Sequence, residues 1–169
     1  ETMANKIAVE KAKSSKIEDV DFDNLSFGSI YSDHMLVCDY KNGEWSTPKV
    51  VPYQSITLDP SAKIFHYGQS IFEGMKAYKD ENGKVWLFRP LENFKRLNKS
   101  AQRLAIPEIP ESYFMEGLNT LIQLESDWIP QNPGSSLYIR PFVFASGNGF
   151  HASPADEYKF IIACSPSGP

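Results

Sequence analysis

The sequence has 169 residues, of which 41% are hydrophobic and 22% are charged, a composition that predicts one ordinary globular domain and excludes a disordered chain. Its 17 basic and 21 acidic side chains leave a net charge of −4, which argues against a dedicated nucleic-acid binder and against a cationic membrane binder. Two cysteines are too few for a disulfide framework, and no apolar run approaches the roughly 20 residues that cross a bilayer. We therefore expect a cytoplasmic protein.

Residues 1–26 are predicted to form a mobile arm, with ordered structure beginning near Phe27. The stretch carries scattered charges and little apolar periodicity, as solvated chain ends do. It lacks the apolar core of a signal peptide, and it contains acids but no arginine, unlike a mitochondrial presequence. Glu1 and Thr2, which precede Met3, are interpreted as a tag remnant.

Two antiparallel hairpins are predicted next. Asn-Gly pairs at Asn42-Gly43 and Asn82-Gly83 are typical of hairpin turns. Each pair is flanked by segments rich in β-branched and aromatic residues, which predict strands over 29–40, 47–52, 75–79 and 85–88. Two prolines in the segment 47–52 indicate that this strand is short or lies at a sheet edge.

Two helices are predicted after the hairpins. Pro90 suits the first turn of a helix, where its missing N–H costs nothing. An apolar stripe then follows at helical spacing, formed by Leu91, Phe94, Leu97, Ala101 and Leu104. Arg96 lies off this stripe, so it either reaches an anion or is solvated. A second stripe, interrupted once by Glu125, is formed by Phe114, Leu118, Leu121, Ile122 and Trp128.

The last two predicted strands cover 137–145 and 158–165. Alternation along the first of them places Tyr138 and Arg140 on one face. This pair indicates either a carboxylate or phosphate site or an edge strand whose face is exposed to solvent. Strands, two helices and strands again predict an α+β fold over 27–165, a two-layer domain with a mainly antiparallel sheet packed against helices. The Ser-Pro-Ser-Gly-Pro ending predicts that a linker starts at 166–169.

Two other kinds of site are disfavoured. The three histidines are far apart and neither cysteine belongs to a C-x-x-C pair, so no metal site is predicted. Residues 147–152 formally fit the dinucleotide fingerprint G-x-G-x-x-A, but Ser153-Pro154 interrupts the helix that would hold a pyrophosphate. A loop that covers a site, or a plain turn, explains this segment better.

Five segments, taken together, resemble the branched-chain amino acid aminotransferases. They are 31–35, 65–78, 87–90 followed by Asn93 and Arg96, 136–141, and 165–169. The similarity runs from about Phe27 to the last residue. D-amino acid aminotransferases and aminodeoxychorismate lyases share the architecture, but they match Phe72-Glu73-Gly74 and 137–141 less fully.

The resemblance implies a fold-type-IV enzyme that uses pyridoxal 5'-phosphate (PLP). Such an enzyme moves the amino group of leucine, isoleucine or valine to 2-oxoglutarate and works as a homodimer. The chain is similar to the amino-terminal small domain alone, so the lysine that binds PLP is expected in an absent carboxy-terminal domain. By itself this chain is then expected neither to transaminate nor to retain PLP.

The resemblance also implies roles for single residues. Arg96 matches the arginine that contacts the cofactor phosphate. The remaining matches concern the substrate: Tyr138 and Arg140 line its side of the pocket, Tyr31 and Phe72 form aromatic walls, and Tyr67 with the loop Phe150 to Ala152 enters the neighbouring subunit's site. No catalytic residue is expected within this chain.

Two alternatives stay open. One is another fold-type-IV PLP enzyme, of the D-amino acid aminotransferase or aminodeoxychorismate lyase type. The other is a non-catalytic dimerisation or binding module, against which the combination of Arg96, Tyr138 and Arg140 counts, because a scaffold needs no phosphate and carboxylate groups together.

Overall fold

A nine-stranded sheet organises the structure, a computed structural model that describes residues 7–169. The predicted tag remnant therefore lies outside the described residues. The strands are β1 (Ala8–Val9), β2 (His34–Lys41), β3 (Glu44–Trp45), β4 (Lys49–Pro52), β5 (Ser70–Phe72), β6 (Met75–Lys79), β7 (Val85–Leu87), β8 (Ser136–Ala145) and β9 (Tyr158–Ser167). The α-helices of the described range are α1 (Ile64–Tyr67), α2 (Pro90–Arg103) and α3 (Glu111–Leu124). No helix within residues 7–169 is long and apolar enough to cross a membrane.

The sheet is mainly antiparallel, as the sequence predicts. Its strand order is β1-β4-β2-β9-β8-β6-β7, with β3 paired to β2 and β5 paired to β8. Only the β1–β4 pair is parallel among the strand pairs of residues 7–169. The longest ladder joins β8 to β9, from Ser136 opposite Ser167 to Ala145 opposite Tyr158. The predicted α+β class is confirmed.

Both predicted hairpins are present, with different turns. Asn42 and Gly43 take positive φ angles of 53° and 82° between the paired residues Lys41 and Glu44, which is the two-residue turn that Asn-Gly favours. The second loop is longer, since residues 80–84 lie between the paired residues Lys79 and Val85. Within it, the Asp80 carboxylate accepts the backbone N–H groups of Asn82 and Lys84 at 2.9 and 2.8 Å. The four-residue β4 is short, as its prolines predict.

The main core lies between α2, α3 and one face of the sheet. Leu97 and Ala101 of α2 and Phe114, Leu118 and Leu121 of α3 are buried against this face. The second predicted stripe is confirmed as core, whereas the first is confirmed only in part, because Leu104 follows the end of α2 and is 44% exposed. Pro90 is the first residue of α2. The opposite sheet face carries a smaller cluster of buried residues, formed by Met35, Val51, Phe144 and Ile161.

The predicted start of ordered structure near Phe27 is wrong. Strand β1 pairs with β4, and the backbone N–H of Ala12 donates to His34 Nε2 at 2.9 Å. The Ser15 hydroxyl and the Lys16 N–H both donate to the carboxylate of Asp33, at 2.5 and 2.9 Å. These contacts join polar groups about 20 residues apart, so apolar periodicity gives no sign of them.

The predicted start of the linker also needs correction. Pro166 and Ser167 belong to β9 and lie opposite Leu137 and Ser136 of β8. A Ser-Pro-Ser-Gly-Pro run is typical of linkers, yet a proline is tolerated where the partner strand needs no N–H from it. Gly168 and Pro169 lie beyond the end of β9.

Candidate functional site

A cavity of about 240 Å³ opens on the sheet face that α2 and α3 leave uncovered. Its floor follows from the β8–β9 register, because residues directly opposite each other project to the same face. Tyr138 lies opposite Ser165, Arg140 opposite Ala163, and Phe142 opposite Ile161. The rest of the lining comes from Phe27, Gly28, Tyr31, Met35, Tyr53, Gln54, Ile56 and Cys164.

Arg140 and Tyr138 form the polar end of the cavity. The Arg140 guanidinium donates through Nε and Nη2 to the Tyr138 hydroxyl, at 3.2 and 3.1 Å. Its Cζ lies 4.7 Å from the ring centroid of Phe72, a cation–π arrangement. Within residues 7–169 the guanidinium has no salt bridge to a carboxylate. Its charge is therefore available to an anionic ligand.

Aromatic rings form the opposite wall. The rings of Tyr31 and Tyr53 stack with centroids 5.0 Å apart and an angle of 9°, and the Tyr31 hydroxyl donates to the Gly28 carbonyl at 2.8 Å. Burial raises the pKa of Tyr53, and the nearby Tyr31 raises it by a smaller amount. Phe27 meets the Tyr138 ring edge-on at 4.9 Å. This wall offers apolar surface beside the charged Arg140.

Tyr53 and Phe27 are lining residues that the sequence analysis missed. Tyr53 directly follows β4, in which Val51 pairs with Met35 of the cavity face. Alternation continued by two residues from Val51 places Tyr53 on that face. The signal therefore existed for Tyr53, but the predicted strand ended at residue 52. Phe27 follows no comparable pattern.

Arg96 lies outside the cavity and is paired with Glu73. Its Nε and Nη2 each donate to one oxygen of the Glu73 carboxylate at 2.6 Å. The hydrogen bonds and then the charge of Glu73 raise the pKa of Arg96. The Arg96 side chain is 67% exposed, whereas that of Glu73 is 5% exposed. One end of this ion pair is thus anchored and the other faces solvent.

Three consecutive residues connect the arginine pair with the polar end of the cavity. Phe72 lies against Arg140, and Glu73 binds Arg96. A side chain at Gly74 would place its Cβ only 2.6 Å from the Tyr138 hydroxyl. Glycine at position 74 therefore permits the observed position of Tyr138.

Tyr67 and Phe150 form a second group, which does not line the cavity, and Ala152 follows Phe150 in the same loop. The Tyr67 hydroxyl donates to the Phe150 carbonyl, and the Phe150 ring meets His66 edge-on at 5.1 Å. The buried Lys63 ammonium donates to the carbonyl and hydroxyl of Ser153 at 2.9 and 2.8 Å. Phe150 itself is 70% exposed. The loop is held at its base and presents its aromatic tip outward.

The structure thus brings some of the predicted site residues together and separates others. Tyr31, Tyr138 and Arg140 line one cavity, and Phe72 contacts it through Arg140. Arg96 is linked to that cavity through residues 72–74. The segment 147–152 shows no helix after its glycines, since it is followed by bends around Ser153, which agrees with the argument against a dinucleotide site.

Curated relatives match nearly the whole chain. A branched-chain-amino-acid transaminase of Bacillus subtilis is 46% identical over 152 residues, which are 89% of this chain and 43% of that protein. A probable branched-chain-amino-acid aminotransferase of Staphylococcus epidermidis is 48% identical over 167 residues, 98% of this chain and 46% of that protein. The chain therefore spans less than half the length of these relatives. No protein-family model matches it.

Solved structures agree with the sequence comparison. The branched-chain amino acid aminotransferase of Escherichia coli superposes with a TM-score of 0.56 at 25% identity, covering 78% of this chain and 40% of that one. The branched-chain aminotransferase of the archaeon Thermoproteus uzoniensis, solved with norvaline, gives a TM-score of 0.58 at 20% identity, covering 80% and 41%. The second likeness concerns the fold alone. By sequence and by fold, this chain belongs with the branched-chain amino acid aminotransferases.

Proposed function

We propose that the full-length protein is a PLP-dependent branched-chain aminotransferase. It moves the amino group of leucine, isoleucine or valine to 2-oxoglutarate. This chain forms the small domain of that enzyme, and the residues that hold PLP covalently lie outside it. The names of the curated relatives support the reaction class, and nothing in the comparisons favours the D-amino acid or lyase alternatives or a non-catalytic module.

The observation that carries the proposal is the two-sided cavity. Transamination requires one pocket to accept an apolar side chain in one half-reaction and a carboxylate-bearing side chain in the other. The stacked rings of Tyr31 and Tyr53 suit the first through burial of apolar area. Arg140, which has no carboxylate partner within residues 7–169, suits the second.

Arg96 fits a contact with the PLP phosphate. Its pairing with Glu73 occupies Nε and one hydrogen of Nη2, so the remaining N–H groups face outward on an exposed side chain. When bound, PLP acts as the electron sink for the reaction. The part assigned to this chain is to hold the phosphate through Arg96 and to orient the substrate carboxylate through Arg140 and Tyr138.

We further propose that the protein works as a homodimer in the cytoplasm. Tyr67 and the loop Phe150 to Ala152 then contribute to the neighbouring subunit's substrate pocket. The exposed ring of Phe150 at the tip of this loop supports the assignment, because an apolar side chain of that size gains free energy when a partner covers it.

The test is an amino-transfer assay on the full-length protein with PLP added. We expect turnover of leucine, isoleucine and valine with 2-oxoglutarate, and none of D-alanine or aminodeoxychorismate. This chain expressed alone serves as the matched control and should show no turnover. Turnover of D-alanine or aminodeoxychorismate instead would replace the proposed substrate class, and no turnover of any amino donor would favour a binding module.

A further inference from the structure

We propose that Glu73 is a positioning residue that holds Arg96 in the one orientation in which the free edge of its guanidinium can meet the cofactor phosphate. The inference rests on the proposed contact between Arg96 and PLP. It adds a residue to the site that acts through Arg96 and touches neither the cofactor nor the substrate.

The geometry of the pair supports this role. Nε and Nη2 of Arg96 lie 2.6 Å from the two oxygens of Glu73, in a side-on arrangement that uses both oxygens. A guanidinium has five N–H donors in a fixed plane. The pair uses two of them and leaves the edge formed by Nη1 and the second hydrogen of Nη2. A planar fork held on one side thus presents a defined second side to an anion.

Glu73 is itself fixed in place. Its side chain is 5% exposed, and its backbone N–H donates to the Pro141 carbonyl of β8 at 2.9 Å. The Asn93 amide, one turn before Arg96 on α2, contacts Glu73 Oε2 and the Gly74 carbonyl at 3.3 Å each. The carboxylate is therefore a rigid support attached to the sheet that also carries Arg140.

Arg96 needs such a support, because 67% of its side chain is exposed. A long exposed side chain loses rotamer freedom when it binds a ligand, and a preorganised one loses less. Glu73 also neutralises part of the Arg96 charge, which weakens the attraction for a phosphate. The proposal holds that orientation outweighs this loss, since a bidentate contact depends on both donors being aligned.

The test compares Glu73→Gln with Glu92→Gln in the full-length protein. Glu92 lies on the same helix, is exposed, and its carboxylate pairs with Lys95 at 3.6 Å, so its substitution changes the charge equally without touching Arg96. The dissociation constants of PLP and of pyridoxal, which lacks the phosphate, are measured by absorbance for each variant. We expect Glu73→Gln to weaken PLP binding about tenfold, to leave pyridoxal binding unchanged, and Glu92→Gln to match the parent protein.

Other outcomes separate the two proposals. Unchanged PLP affinity in Glu73→Gln, or an equal loss for PLP and pyridoxal, overturns the positioning role. Arg96→Ala is measured in parallel, and if it keeps full PLP affinity, the phosphate contact itself is wrong. If Glu73→Gln does not fold, Asn93→Ala is used instead, because it removes only the amide that contacts the Glu73 carboxylate. It should show a smaller loss of PLP affinity and no loss of pyridoxal affinity.

Discussion

Arg140 is the residue on which the two halves of the proposed reaction are expected to differ. Its guanidinium is held by the Tyr138 hydroxyl and the Phe72 ring, and both contacts leave its charge unpaired within residues 7–169. An unpaired cation at the edge of an apolar pocket favours an acidic substrate and contributes little to an aliphatic one. Alternation along the strand predicts its pairing with Tyr138, whereas no pattern predicts the contact with Phe72, which lies on another strand.

We therefore expect Arg140→Ala in the full-length protein to impair the half-reaction with 2-oxoglutarate about a hundredfold. The half-reaction with leucine should fall less than about tenfold, because burial against the aromatic wall is retained. Single-turnover kinetics with each substrate measure the two losses separately. Tyr138→Phe removes only the hydroxyl that accepts the Arg140 N–H groups. It should also impair the half-reaction with 2-oxoglutarate more than the half-reaction with leucine, but both losses should be smaller than in Arg140→Ala. Equal losses in both half-reactions would remove Arg140 from its assigned role.

At the scale of elements, local signals account for most of the fold. The Asn42-Gly43 turn and the helix start at Pro90 follow from backbone preferences of single residues, and α2 and α3 follow from apolar periodicity. The short α1 and β5 carry no such signal. The same holds for β1, whose two residues pair with β4, and for the segment after it, where Ala12 donates to His34, 22 positions away. Glu73 and Arg96 are 23 positions apart, so the local sequence pattern does not predict their ion pair either.

The packing of α3 on β2 depends on Gly117. A Cβ there would lie 2.5 Å from Cδ2 of Leu36, which is fully buried. Gly117→Ala gains up to about 1 kcal/mol of helix propensity, but overpacking a core costs about 1–3 kcal/mol, so we expect net destabilisation. Hydrogen exchange followed by mass spectrometry should show lower protection in α3 and β2. Asn119→Ala, on the exposed side of the same helix, should leave that protection unchanged or raise it.

At the scale of the whole molecule, Asp33 ties three distant parts of the chain together. It accepts hydrogen bonds from Ser15 and Lys16 of the amino-terminal segment and, at 3.0 Å, from the Trp128 indole N–H that follows α3. Burial opposes ionisation of Asp33, but these hydrogen bonds together hold its pKa below the usual value. A carboxylate with a lowered pKa stabilises the fold above its unfolded pKa of about 3.9 and loses that effect as the pH falls through its folded pKa.

We expect Asp33→Asn to lower the free energy of unfolding by about 1–3 kcal/mol at pH 7. The difference from the parent protein should shrink as the pH falls below about 4, because Asp33 of the unfolded parent chain then takes up a proton that the folded chain does not yet bind. Urea denaturation of the full-length protein between pH 7 and pH 3 measures this. Asp19→Asn, an exposed site in the same segment, is the matched control and should have little effect at either pH. A constant difference across this range would contradict the role given to the ionised carboxylate.

The order of Phe72, Glu73 and Gly74 limits how such a protein can change its substrate during evolution. Phe72 and Glu73 contact Arg140 and Arg96, and Gly74 leaves room for Tyr138, so inserting or deleting one residue there would displace all three side chains in one step. New specificity is more accessible through Tyr31, Tyr53 and Ile56, which lie in connecting segments on the far side of the cavity and carry none of the three contacts.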